Sequence, residues 1–149
     1  MTGAYMPQAK SVEWETPQEL FDQLHAEFDF TLDVAASHSN HKCERYFTEE
    51  INGLLQDWGG ERCFMNPPYG TVIKKWAAKA YTETNNPFSR AEIVVGLLPA
   101  RTDTSWFHEY IYKKPRVEIR FLRGRLKFVS EKGSSSSATF PSMVVIWRD

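Results

Sequence analysis

An apolar run that ends on an amide and two consecutive prolines constrains this chain more than any other stretch. Cys63-Phe64-Met65 reads as a buried strand, Asn66-Pro67-Pro68-Tyr69-Gly70 stops it, and a helical pattern starts near Thr71. Each proline lacks an N–H and fixes its own φ, and Pro68 pushes Pro67 out of helical geometry. The backbone there is stiff and extended. Its carbonyls and the Asn66 amide oxygen are acceptors that no local N–H satisfies. Polar chemistry therefore begins where a strand ends, which is where open α/β sheets bind ligands.

The flanks supply the rest of such a sheet. Thr71 to Thr84 has Val72, Ile73, Trp76, Ala77 and Ala80 on one helical face, and Asn85-Asn86-Pro87 ends it. Ala91 to Pro99 is the most apolar strand of the chain and reads as central in a parallel sheet, so the helix between is a crossover unit. Upstream, Thr16-Pro17-Gln18-Glu19 predicts a helix start with Thr16 as N-cap and Pro17 at the first helical position, followed by Leu20, Phe21, Leu24 and Phe28 on one face. Phe30 to Ser37 is a strand ending in an acid and small residues. Downstream, Asp103 or Thr104 caps a short helix bearing Trp106, Phe107, Tyr110 and Ile111. Arg116 to Val129 reads as two strands joined near Gly124, Glu131 to Ser137 as a polar loop, and Ser142 to Trp147 as a last strand antiparallel to the one through Ile119.

At 149 residues the chain suits one domain, 1–149, with residues 1–12 as a flexible arm. With 42% hydrophobic and 14% aromatic residues it is not a disordered chain. No apolar run approaches the roughly 20 residues of a membrane span, and no basic-then-apolar leader opens the chain, so a soluble, cytoplasmic protein is expected. Cys43 and Cys63 fit no disulfide framework, and His38-Ser39-Asn40-His41-Lys42-Cys43 lacks the second ligand pair of a zinc site, so no metal is expected. Charge is uneven: residues 1–66 hold four cations against twelve acids, whereas residues 101–132 hold nine against four. A polyanionic partner should meet the second half.

The acceptors at Asn66 suit an amino group conjugated to a flat ring. Such a nitrogen becomes nucleophilic when two acceptors hold its N–H bonds and let it turn pyramidal. Asn66 Oδ1 and the Pro67 carbonyl can do so, with Tyr69 stacked on the ring. Here the chain resembles the amino-methyltransferases, whose Asn/Asp-Pro-Pro-Tyr/Phe motif works on adenine N6 or cytosine N4. Trp14-Glu15-Thr16-Pro17 is similar to the Thr-Pro motif of adenine methyltransferases. Asp33-Val34-Ala35-Ala36 resembles the cofactor motif of the phage and prophage DNA N6-adenine methyltransferases. Asn40, Cys43, Tyr46-Phe47-Thr48, Asn52-Gly53-Leu54 and Asp57-Trp58 extend the likeness.

This resemblance implies a reduced Rossmann-like, S-adenosylmethionine-dependent methyltransferase fold: α/β, mostly parallel, with an antiparallel C-terminal strand. It implies a catalytic set of Asn66, Pro67, Pro68 and Tyr69, acting on an adenine turned out of double-stranded DNA in a bacterial host cell. It assigns Trp14, Thr16, Pro17, Asp33, Ala35, Ala36, Asp57, Trp58 and Asn66 to the cofactor. In that assignment Thr16-Pro17 lies over the methionine and carboxylate end, and Asp57 and Trp58 meet the adenine ring. Little over twenty residues separate Asp33 from Asp57, too few for two strand-helix units, so the sheet should be trimmed. Glu44, Glu49 and Glu50 stand unranked as the acid that would hold the cofactor ribose.

Leu98-Pro99-Ala100-Arg101, followed by Asp103-Thr104, also resembles the phage family, and Arg101 is expected to touch phosphate or substrate. Arg123, Arg125 and Lys127 would meet the DNA backbone. With so little chain beyond the scaffold, base recognition should be short, and a homodimer would supply further surface. Cytosine N4, adenine in RNA and a glutamine side chain present the same N–H pair, and a non-catalytic module on this scaffold is a further alternative.

Overall fold

A computed structural model describes residues 14–129, 135–137 and 140–149. The expected arm, residues 1–12, lies outside the described residues. In chain order the elements are α1 (Gln18–Phe28), β1 (Leu32–Ala36), β2 (Tyr46–Thr48), a 3-10 turn (Gly53–Leu55), β3 (Arg62–Met65), α2 (Ile73–Asn85), β4 (Ile93–Pro99), α3 (Ser105–Tyr110), β5 (Val117–Phe121), β6 (Lys127–Val129), β7 (Ser135–Ser137) and β8 (Ser142–Arg148).

Six strands form one sheet in the order β2-β1-β3-β4-β8-β5. β2, β1, β3 and β4 run parallel, and β8 lies antiparallel between β4 and β5. This is the expected mostly parallel sheet with antiparallel C-terminal strands. All seven residues of β4 are buried, as its unbroken apolar run requires of an inner strand. Between β1 and β3 there is only the three-residue edge strand β2 and the 3-10 turn, so the sheet is trimmed where the short spacing demanded. β1 has β2 on one side and β3 on the other, and the chain order reverses there. The ends of β1 and β3 therefore open into the crevice where such sheets take ligands.

Three local expectations are corrected. Thr16 does not cap α1; the helix begins after Pro17, without a side-chain cap. The two strands joined near Gly124 do not pair with each other: β5 pairs antiparallel with β8, as expected of the last strand, while β6 leaves the sheet and pairs with β7. β7 in turn lies within what reads as a polar loop, its three serines gaining ladder bonds from β6. Thr104, rather than Asp103, caps α3 by accepting from the Phe107 N–H.

Candidate active site

β3 delivers Asn66 to the carboxyl edge of the sheet, and the two prolines then carry the chain away from the ladder. Gly70, at φ 127°, makes the turn into α2 in a region that side-chain-bearing residues avoid. The Asn66 amide is tied on one side only. Its Nδ2 donates to the Trp14 carbonyl at 2.5 Å and to Thr16 Oγ1 at 2.8 Å. A carbonyl can only accept, so nitrogen must sit there and oxygen must face the other way. Asn66 Oδ1 is buried and, among the described residues, has no hydrogen-bond partner. A buried acceptor left open costs stability unless a ligand completes it.

Two cavities flank this motif. The larger, about 440 Å³, is lined by Asn66, Pro67 and Pro68 together with Trp14, Thr16, Asp33, Ala35 and Ala36. The smaller, about 360 Å³, is lined by Tyr69, Gly70 and Thr71 with Arg101, Trp106 and Phe140. Asn66-Pro67-Pro68-Tyr69 thus stands as the partition. The Tyr69 hydroxyl donates to the Leu97 carbonyl at 2.8 Å, which fixes the ring, and burial pushes its pKa well above the usual phenol range. Phe140 and Phe128 meet that ring edge-on at 5.6 and 6.3 Å.

Asp33 lines the larger cavity although only 3% exposed. Its Oδ1 accepts from the Ala35 N–H and its Oδ2 from the Lys42 N–H, which shapes the loop after β1. Burial pushes its carboxyl up to about 6, against the opposing pull of those two N–H groups and of His41 and Lys42. Burial, followed by the Asp33 charge, likewise pushes the neighbouring Cys43 thiol up to about 12. Cys43 and Cys63 are both free and buried.

Asp57 and Trp58 depart from expectation. Neither lines the cavity. Asp57 is exposed, accepting from the Gly59 N–H and from Ser89 Oγ, and these bonds hold its carboxyl below the usual range. Trp58 is fully buried; its Nε1 donates to the Gly53 carbonyl and its ring stacks near Trp76. An Asp-Trp pair in a polar turn can send the acid to solvent and the indole to the core, and hydrophobic burial chooses that arrangement. Pro17 also lies outside the cavity lining, since it starts α1.

The wall near Trp58 is built by Asn52, Gly53 and Leu54, to which the sequence assigns no role. Their signal was the Asn-Gly turn: Asn52 is left-handed, with Oδ1 accepting from the Leu54 N–H. α2 braces this wall from behind. Buried Glu83 accepts from the Trp58 N–H at 2.6 Å, and Lys79 donates to the Gln56 carbonyl while pairing with Glu83 at 3.2 Å. Of the three candidate acids, Glu49 lines the cavity and Glu44 and Glu50 do not; Glu15 lines it as well. Arg101, Arg123, Arg125 and Lys127 are exposed, and none is in an ion pair among the described residues. The Arg101 guanidinium sits 5.8 Å from the Phe140 ring. Among the described residues no helix is long and apolar enough to cross a membrane.

A family profile described as DNA N-6-adenine-methyltransferase (Dam) matches residues 3–149. The chain belongs to the Dam family. Within the Dam family it is similar to the DNA N-6-adenine-methyltransferase of Escherichia phage T1, at 35% identity over 112 residues, covering 72% of this chain and 44% of that protein. It is also similar to the protein of the same name from Haemophilus phage HP1, at 28% identity over 139 residues, covering 91% of this chain and 78% of the other. The chain therefore spans less than half the length of the T1 relative. Dam membership implies a methyl donor, and the Asn66 partition is where this Dam-family chain leaves an acceptor open.

Proposed function

We propose that this chain transfers a methyl group from S-adenosylmethionine to N6 of an adenine extruded from double-stranded DNA. The observation that carries the reading is the buried Asn66 Oδ1, without a partner among the described residues, on the lining of the larger cavity at the end of an inner strand whose next residues, through Tyr69, reach the smaller one.

The larger cavity fits the methyl donor. Ala35 and Ala36 leave the backbone at the end of β1 open to close approach, Thr16 and Asp33 present polar groups, and Glu15 and Glu49, both in the lining, are the acids available to ribose hydroxyls. When bound, the donor supplies an electrophilic methyl on a sulfonium, which departs as a neutral thioether. No acid is then needed for the leaving group, so the chain's task is alignment. Asn66 Oδ1 and the Pro67 carbonyl would hold the two N6–H bonds, so the nitrogen can turn pyramidal and attack; as the N–C bond forms and the S–C bond breaks, the nitrogen becomes acidic and its surplus proton passes to solvent.

The smaller cavity fits the base. Tyr69, tethered through its hydroxyl, is a rigid stacking surface, and Arg101 at the rim reaches phosphate. Extrusion costs a few kcal/mol, which stacking and the two acceptor bonds offset. Arg123, Arg125 and Lys127 contact the DNA backbone, and a second copy of the chain extends the recognition surface. The protein acts in the cytoplasm of a bacterial host.

Mapping modified bases on duplex DNA incubated with the protein and methyl-labelled cofactor tests this. Label at adenine N6, absent with Asn66→Ala, is the expected result. Label on cytosine, RNA or protein glutamine instead, or on nothing, would overturn it.

A further inference from the structure

We infer that Thr16 is a positioning residue of the transfer site: with the Trp14 carbonyl, it holds the Asn66 amide so that oxygen, not nitrogen, faces the substrate. The inference rests on the reading of Asn66 proposed above. An asparagine amide is nearly symmetric in shape, and half a turn about Cβ–Cγ exchanges its acceptor for donors. Turned that way, Asn66 would point N–H groups at an amino group and repel it.

The Trp14 carbonyl sets the sense of the amide, because a carbonyl only accepts, and Thr16 Oγ1 takes the other Nδ2 proton and holds the group against it. The Trp14 carbonyl lies 2.5 Å from Nδ2 and Thr16 Oγ1 lies 2.8 Å from it, both on a segment fifty or more residues away in sequence. Thr16 is 2% exposed, so water does not readily replace its oxygen. Its hydroxyl is also kept from its local use. A threonine just before a helix ordinarily caps it, yet α1 has no side-chain cap. Thr16 lies one residue before Pro17 at the N-cap, and its hydroxyl is bonded to Asn66 instead. The Trp14 carbonyl also accounts for an amide at position 66: a carboxylate there would set oxygen against that carbonyl, which as main chain cannot be altered by substitution.

Two measurements on the full chain test this, using Thr16→Val, which keeps the shape and removes the acceptor, and Thr16→Ser, which keeps the acceptor. By nitrogen-15 NMR, the Asn66 side-chain protons should exchange slowly in the native protein. Exchange should quicken at least about tenfold in Thr16→Val and return in Thr16→Ser. In methyl transfer, kcat should fall about a hundredfold in Thr16→Val with KM for DNA nearly unchanged, and Thr16→Ser should recover most of it. Rapid exchange in the native protein overturns the inference even if Thr16→Val does not fold. A loss of kcat with Asn66 exchange unchanged also overturns it, because Thr16 would then act on the ligand alone. The expected exchange pattern in a protein that methylates no adenine supports the orientation and overturns the substrate reading.

Discussion

Asn66 Nδ2 donates to Thr16 Oγ1 across fifty residues of sequence, and that bond leaves Oδ1 as the free end of the amide. Removing the amide should harm chemistry far more than the fold. Asn66→Ala is expected to lower kcat by about 10²–10³-fold, the usual cost of one preorganised polar contact, and, because it also strands the Trp14 carbonyl and Thr16, to cost about 1–3 kcal/mol of stability. Asn66→Asp should be nearly as inactive, since its second oxygen would face the Trp14 carbonyl. Single-turnover methylation and thermal melts on both variants check this.

Gly53 packs so closely on β1 that an added Cβ would lie 2.2 Å from the Val34 carbonyl oxygen. The obstructing atom is main chain, and the Trp76 ring stands next at 3.3 Å. Gly53→Ala should cost about 1–3 kcal/mol of stability and push the Asn52–Leu54 wall into the larger cavity. Calorimetry should show cofactor affinity reduced at least tenfold, while a site elsewhere would leave it unchanged.

Glu83 is a buried charge satisfied by Lys79 and by the Trp58 N–H. Glu83→Ala strands both partners and should destabilise the protein by about 3 kcal/mol in urea unfolding. Glu83→Gln keeps an acceptor for Trp58 and should cost less.

Asp33 titrates near 6 in the folded protein against 3.8 in the unfolded chain. Between about pH 4 and 6 the folded form keeps a proton that the unfolded form has lost, so this group's contribution to stability falls as pH rises. The carboxyls of Glu27 and Glu118, lowered first by their bonds to Arg120, act with the opposite sign at lower pH. Subtracting the Asp33→Asn profile from the native one across pH 4 to 6.5 should isolate the falling slope.

Arg101→Ala should weaken DNA binding about equally for all sequences and reduce the salt slope by about one. Replacing Arg123, Arg125 and Lys127 together should reduce it by about three. Binding titrations at several salt concentrations measure both, and a slope that does not move would remove these cations from the DNA contact.

Much of the fold was legible because its signals are local. β4 declares itself by an apolar run, α2 by Ile73, Trp76, Ala77 and Ala80 at helical spacing, and β3 by the prolines that end it. The antiparallel pairing of the last strand with the one through Ile119 was legible and is found, whereas pairing across Gly124 was not: β5 uses one edge for β8, and β6 pairs with β7 instead, because alternation specifies a strand and not its partner. Asp57 and Trp58 lie outside the lining of the larger cavity, since resemblance names a residue pair and packing decides which way each side chain turns.

The sequence by itself determined the kind of chemistry available, because Asn66-Pro67-Pro68-Tyr69 places a rigid acceptor pair and a ring within four residues, whatever surrounds them. Only the tertiary structure decided how that motif is held and what it divides. Sheet order brings the end of β1 beside the end of β3, and the Trp14–Thr16 segment crosses to take the Asn66 nitrogen. The physical reason is one of range. Backbone restriction by proline acts on neighbours in the chain, whereas the direction of an amide and the walls of a cavity depend on groups that only strand pairing and burial bring together.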